Sequence, residues 1–218
     1  MRVELSKALS ILSHEMRGSL GVLQGYLRML RDGISDPALT ARMLQSMQDA
    51  TTRLAGVARE ASELSAWLDG RGPEGRERVS IGQLLEQAVA GAGVTDAAVI
   101  VPADRAETMV TSDPPGALAR ALAAVLVASR REAAMAAIAL TVEPESDAGE
   151  IVIQIGPAAG GAAEPGGVEA PFDFGRGGMG LSLVLASHVL DAHGARLTAA
   201  GENRSRVTVR LQRDGGSQ

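Results

Sequence analysis

One histidine stands among residues that support chemistry on an anionic group. His14 is followed directly by Glu15, and Arg17 lies nearly one helical turn further along. An imidazole accepts a phosphoryl group well, because one ring nitrogen attacks while the other gives its proton to a base. Glu15 is the candidate base, and Arg17 can balance negative charge near the ring. A histidine taken alone is more often a solvated surface residue, and these neighbours favour the chemical interpretation.

A helix is predicted to carry this histidine. Apolar residues recur at steps of three and four, at Leu5, Leu9, Leu12, Met16, Leu20, Leu23, Leu27 and Leu30. This spacing is typical of one face of an amphipathic helix that packs on a core. At about 100° per residue, His14 lies nearly opposite that face, so we expect its ring to be exposed to water.

A second helix is predicted to pair with the first. Gly33 is placed to end the first helix, and Asp36-Pro37 reads as an N-cap followed by a first-turn proline. Helical spacing continues at Leu39, Met43, Met47, Ala50, Leu54, Val57, Ala61, Leu64 and Leu68. Two long helices joined by a short turn make an antiparallel hairpin, which buries only one side of each helix. We therefore expect residues 1–70 to form a homodimer in which two hairpins make a four-helix bundle.

The pattern changes after residue 70. Glycine, proline and charged residues dominate 71–78, which we predict to be a linker, followed by an α/β domain at 79–213 and a tail at 214–218. Helices are predicted at 81–90, 117–131 and 179–193, and strands at 97–101, 107–111, 137–142, 151–155, 195–199 and 206–211. The predicted fold class is α plus α/β: a helical hairpin followed by an α/β sandwich with helices on one face of its sheet.

Composition excludes several classes of function. The absence of cysteine rules out disulfides and thiolate metal sites, and three histidines make a zinc site improbable. Lys7 is the single lysine, which excludes a Walker-type phosphate loop. The formal charge of −5, without a basic stripe, argues against nucleic acid. Because neither a signal peptide nor a membrane span is recognisable, we expect a cytoplasmic protein that does not contact a membrane.

The segment from Ser13 to Leu20, "SHEMRGSL", resembles the H-box of sensor histidine kinases, whose pattern is S-H-E-x-R-T-P-L. The resemblance implies a dimerising hairpin on which His14 takes phosphate, followed by a domain that binds ATP in the family. Two positions differ from the family pattern, since Gly18 replaces Thr or Asn and Ser19 replaces proline. The family uses the first of these positions in dephosphorylating receivers, so we do not expect phosphatase activity.

The resemblance also implies a nucleotide site whose main groups are missing here. Family asparagines that help to hold Mg²⁺ correspond to Ala124 and Ala128, which offer no oxygen. The strand at 151–155 runs into Gly156-Pro157 and a Gly/Ala-rich loop without the family's adenine-reading acid. Gly177, Gly178, Gly180 and Leu181 match the family's lid hinge, whereas Ser182 replaces a glycine. Taken alone, those glycines fit a mobile or loosely packed loop entering a helix. We expect a degenerate ATPase-like domain that binds no nucleotide and no other cofactor.

These observations favour a histidine phosphotransferase. His14 would relay phosphate between response-regulator receiver domains, and Mg²⁺ would be held by the receiver alone. The predicted docking surface comprises Met16, Gly18, Leu20, Gly21 and Gln24. One alternative is a pseudokinase that binds and regulates a sensor histidine kinase or a receiver. Another is a kinase that uses ATP through a divergent site. His188 and His193, on the last predicted helix, are expected to have core or capping roles.

Overall fold

The structure is a computed structural model that describes residues 5–33, 36–70, 75–132, 137–143, 149–157, 180–200 and 206–212. Within these ranges the helices are α1 (Leu5–Arg31), α2 (Pro37–Leu68), α3 (Ile81–Ala92), α4 (Ala117–Glu132) and α5 (Gly180–Ala192). The strands are β1 (Glu77–Ser80), β2 (Ala97–Ile100), β3 (Met109–Ser112), β4 (Ile138–Val142), β5 (Glu150–Pro157), β6 (Arg196–Ala200) and β7 (Arg206–Gln212). Over the same part of the chain, no helix has both the length and the apolar character needed to cross a membrane.

Helices α1 and α2 form the predicted hairpin, and the cap residues behave as their types require. Gly33 follows α1 with a φ of +86°, in the left-handed region where glycine is unstrained. The Asp36 side chain accepts a hydrogen bond from the Ala38 backbone N–H at 2.9 Å, and Pro37 opens α2. The turn chemistry written into the sequence therefore sets where the chain reverses.

The packing face of α1 differs from the predicted one. The helix buries Ala8 and Ser19, small residues that allow close approach, and α2 buries Met43, Ala50 and Leu64. Five residues of the predicted core-facing set are instead exposed: Leu5 (58%), Leu9 (54%), Met16 (41%), Leu20 (42%) and Leu27 (55%). We call these five residues the apolar stripe. A 3.6-residue period marks an apolar face, but it does not say whether that face packs within the chain or against a second copy.

The α/β domain contains two sheets. Strands β1 and β3 pair antiparallel, and the larger sheet has the order β2-β4-β5-β7-β6, in which β2 and β4 run parallel and the other pairs antiparallel. Helix α4 packs between α3 and α5 and against β5. Its Leu122 and Leu126 are fully buried in one core with sheet residues such as Ile153 and Val209. The hairpin joins this core through Ala8 and Leu64, so the two parts pack together.

The predicted helices and strands of this domain are confirmed, with ends displaced by at most two residues. The predicted linker at 71–78 is wrong at its end, because β1 already begins at Glu77. There Val79 is buried opposite Val110 of β3, and a Glu77 oxygen accepts a hydrogen bond from the Gly116 backbone N–H at 3.0 Å. This four-residue strand lies in a charged segment, so its sequence shows no apolar pattern typical of a strand.

The Gly/Ala-rich loop, including Gly177 and Gly178, lies outside the described residues beyond Pro157.

Candidate functional site

His14 lies in the middle of α1 with an exposed side chain, as predicted. Residues three, four and seven positions further along share its side of the helix, and these are Arg17, Gly18 and Gly21. All three are exposed, and no described atom lies within 4 Å of a Cβ built at Gly18 or Gly21. The histidine ring is therefore open to a partner that approaches along this face.

The predicted partner-binding residues occupy two different faces of α1. Gly18 and Gly21 share the His14 face, and the exposed Gln24 lies about 80° from it. Met16 and Leu20 lie about 200° and 240° round the helix from His14, within the apolar stripe. The structure thus brings Gly18, Gly21 and Gln24 together with His14 and places Met16 and Leu20 on another surface.

Glu15 points away from the histidine and towards the α/β domain. Its Oε2 accepts a hydrogen bond from the Leu181 backbone N–H at 3.4 Å, and its Oε1 lies 3.0 Å from where a Cβ on Gly180 would stand. Both oxygens therefore lie against the beginning of α5. Among the described residues, no hydrogen bond joins Glu15 to His14.

A second carboxylate from the hairpin reaches the same place. Glu60 of α2 accepts a hydrogen bond from the Ser182 backbone N–H. The pKa of Glu60 is raised, first because the carboxyl is about half buried and then because Glu15 adds negative charge nearby; the Ser182 N–H and Arg59 act in the opposite direction. Two acidic side chains thus compete for one small region of positive potential.

That region is the N-terminus of α5. The first backbone N–H groups of a helix lack partners within the helix, and together with the helix dipole they attract anions. Here the N–H groups of Leu181 and Ser182 are taken by Glu15 and Glu60. We call these two carboxylates and residues 180–182 the interdomain contact. An ion pair at 3.0 Å between Glu63 of α2 and Arg120 of α4 supports it from the side.

Sequence reasoning singled out Glu15 and missed Glu60. A signal for Glu60 exists, because it lies between Val57, Ala61 and Leu64 on the packed side of α2. An acid at such a position needs a hydrogen-bond donor or a cation from another element. The donor, however, lies on a helix more than a hundred residues further along the chain, and no local pattern indicates it.

Helix α4 presents alanines where the resemblance implies asparagines. Ala128 is buried, and Ala124 lines a cavity of about 390 Å³ between α2, α3, α4 and α5. Most of the wall is apolar, and the polar side chains on it are Glu60, Glu63, Gln87, Arg120 and Ser182. The end of β5 carries no acid as far as Pro157. The described residues at these two positions therefore supply no oxygen ligand for a cation.

His193 has the structural role predicted for it. Its Nε2 accepts a hydrogen bond from the Asp113 backbone N–H at 2.9 Å, so its Nδ1 carries the proton and donates to the Val189 carbonyl at 2.7 Å. The ring also lies 6.4 Å from that of Trp67, centroid to centroid. Within the described ranges, no group of three or more histidine or acidic side chains has the arrangement of a metal site.

Comparison with known proteins identifies the hairpin. Residues 4–66 match the family model of the His Kinase A (phospho-acceptor) domain. The hairpin is therefore similar to a His Kinase A phospho-acceptor domain. His14 lies within the matched residues, on an exposed face of the hairpin. No curated protein matches the chain in sequence.

Solved structures show the same fold beyond the hairpin. The histidine kinase AdeS of Acinetobacter baumannii superposes with a TM-score of 0.65 at 17% identity, over 93% of this chain and 98% of that one. Full-length ShkA in complex with AMPPNP superposes with a TM-score of 0.53 at 17% identity, over 97% of this chain and 46% of that one. The chain therefore shares the fold of these structures, a helical hairpin followed by an α/β domain.

Proposed function

We propose that this protein is a histidine phosphotransferase, which relays a phosphoryl group between receiver domains through His14 without binding ATP. The interdomain contact carries the proposal. Glu15 and Glu60 occupy N–H groups of α5 that would otherwise attract a nucleotide's phosphates, and two carboxylates repel such an anion. The alanines at 124 and 128 support the same interpretation.

The proposed transfer requires an accessible imidazole and a group that accepts its proton. A ring nitrogen of His14 attacks the phosphorus of an aspartyl phosphate on a receiver. A phosphorus–nitrogen bond forms, the bond between phosphorus and the aspartate oxygen breaks, and the other ring nitrogen gives its proton to Glu15 or water. The reverse sequence passes the group to a second receiver. Mg²⁺ would be held by the receiver's own carboxylates.

The surface around His14 suits a receiver. Domains of this family act with response regulators in two-component systems. Gly18 and Gly21 have no side chains, so a partner backbone can approach the helix closely beside the His14 ring. Arg17 offers a cation to the phosphoryl group. We assign Gly18, Gly21 and Gln24 to this docking surface. Met16 and Leu20 belong instead to the proposed dimer interface described in the Discussion.

The test is phosphoryl transfer, followed with labelled ATP and with a panel of labelled phospho-receivers in parallel. We expect label on His14 from at least one receiver, none from ATP, and none in a His14→Gln variant from either donor. His188→Gln is the matched control, because it removes a histidine outside the hairpin. Label on His14 from ATP contradicts the proposal and indicates a kinase. Absence of label from both donors favours a pseudokinase that regulates a partner by binding.

A further inference from the structure

Glu15 cannot act as a base for His14 while it accepts a hydrogen bond from the N-terminus of α5. As the candidate base for His14, it must direct a carboxylate oxygen at the imidazole. In the structure both oxygens lie against α5, one on the Leu181 N–H and the other beside Gly180. Adjacent residues of a helix project about 100° apart, so a side chain committed to α5 is turned away from the ring.

We infer that Glu60 and the N-terminus of α5 are positioning elements for Glu15, and that the docked α/β domain is a brake on transfer through His14. This inference rests on the proposed function. In the docked arrangement α5 holds Glu15 as a capping carboxylate. When the α/β domain moves off the hairpin, Glu15 is released to serve His14.

Glu60 sets how firmly Glu15 is held. Its negative charge repels Glu15 across the same helix end, so the ionised carboxylate loosens the contact that it shares. A glutamine at this position keeps an oxygen for the Ser182 N–H but carries no charge. Glu60→Gln should therefore tighten docking and slow transfer, which is the opposite of what loss of a supporting residue does.

Arg120 supplies a variant that acts in the other direction. Its ion pair with Glu63 joins α4 to α2 away from His14 and Glu15, and the Arg120 side chain is more than half exposed. Arg120→Ala should weaken docking and speed transfer by about two- to fivefold, in keeping with the modest strength of an exposed pair. The double variant Glu63→Arg/Arg120→Glu restores an ion pair of reversed polarity and should return the rate towards that of the original chain.

The experiment measures the rate of His14 phosphorylation in the original 218-residue chain and these three variants, from two donors. One donor is a phospho-receiver, and the other is phosphoramidate, a small compound that loses ammonia as its phosphorus bonds to the ring nitrogen. We expect Arg120→Ala to be fastest, Glu60→Gln slowest, and the charge-reversed pair close to the original. Circular dichroism confirms that each variant is folded.

The two donors separate this inference from the proposed function. If phosphoramidate gives the expected order and no receiver transfers, the relay is wrong and the brake stands. If receivers transfer but all variants have equal rates, or Glu60→Gln and Arg120→Ala change the rate in the same direction, the brake is wrong. If neither donor labels His14 in any variant, both the relay and the brake are wrong.

Discussion

At the scale of the residue, Gly180 shows why α5 begins where it does. Its φ of +71° is in the left-handed region, and a Cβ there would stand 3.0 Å from Glu15 Oε1, closer than such contacts normally occur. A glycine at position 180 thus allows both the left-handed backbone conformation and the close approach of the Glu15 carboxylate. Glu15 and Glu60 can share this helix end because no side chain fills the space between them.

We predict that Gly180→Ala destabilises the protein by more than the strain of its backbone. A left-handed alanine costs about 1–2 kcal/mol, and contact with Glu15 adds to this. Gly93→Ala is the matched control, because Gly93 has a φ of +62° and no described atom within 4 Å of its Cβ position. Urea unfolding should give the larger loss for Gly180→Ala, and the excess should vanish in a Glu15→Ala background. Equal losses in the two single variants would show that the carboxylate does not press on residue 180.

At the scale of the element, α1 has three faces with different tasks. One face packs on α2 through Ala8 and Ser19, and a second presents His14. The third is the apolar stripe, which leaves large hydrophobic side chains in water within a single chain. Because domains of this family dimerise, we propose that the stripe is buried between two hairpins in a four-helix bundle.

Replacement of a stripe residue should dissociate the dimer. Leu9→Asp places a charge in an apolar interface, where it has no partner, and we expect a dissociation constant at least about a hundredfold higher. Ile100→Asp is the control, because Ile100 is also exposed, at 47%, but lies on β2 in the other domain. Sedimentation equilibrium distinguishes the two. A Leu9→Asp protein as dimeric as the control contradicts this use of the stripe.

The sequence predicts the elements better than their partners. Helix caps at Gly33 and Asp36, and strands with apolar runs such as β5, follow from local rules and are confirmed. Strand β1 is missed because a short strand in a charged segment has no local period. The sequence does not separate the face of α1 that packs on α2 from the face proposed to pack on a second hairpin. The reason is that both faces contribute apolar residues with the same helical period. His14 is correctly expected to be exposed, since that depends on helix geometry alone.

At the scale of the whole molecule, the two domains are coupled through a titrating group. Burial and the charge of Glu15 raise the pKa of Glu60 while the domains are docked. Separation exposes the carboxyl and removes the effect of burial, whereas Glu15 stays on the same hairpin. A carboxyl whose pKa is higher in the docked state binds protons more tightly there, so protonation favours docking. The stabilisation of docking by protonated Glu60 is therefore fully present at a pH below the ordinary pKa of a carboxyl. It is lost as the pH rises through the raised pKa that Glu60 has in the docked state.

Hydrogen exchange at the Leu181 and Ser182 amides should report this dependence. The groups facing Glu60 are Glu15 from α1, Glu63 and Arg59 from its own helix, and the Ser182 N–H from α5. After correction for intrinsic exchange, protection in the original chain should fall from mildly acidic to neutral pH. Glu60→Gln should remain protected over the same range, and the difference between the two proteins isolates Glu60. Parallel curves for the two proteins would remove Glu60 as the titrating group.

The hydrogen bond between Glu15 and Leu181 joins residues 166 positions apart, which has a consequence for the order of events during synthesis. The ribosome completes the whole hairpin, with its apolar stripe, long before it makes α5. Domains generally fold as units and N-terminal ones first, so two nascent hairpins can associate while nothing yet holds Glu15. The Glu15 carboxylate is then at its least restrained, and translation of α5 first supplies the N–H group that holds it.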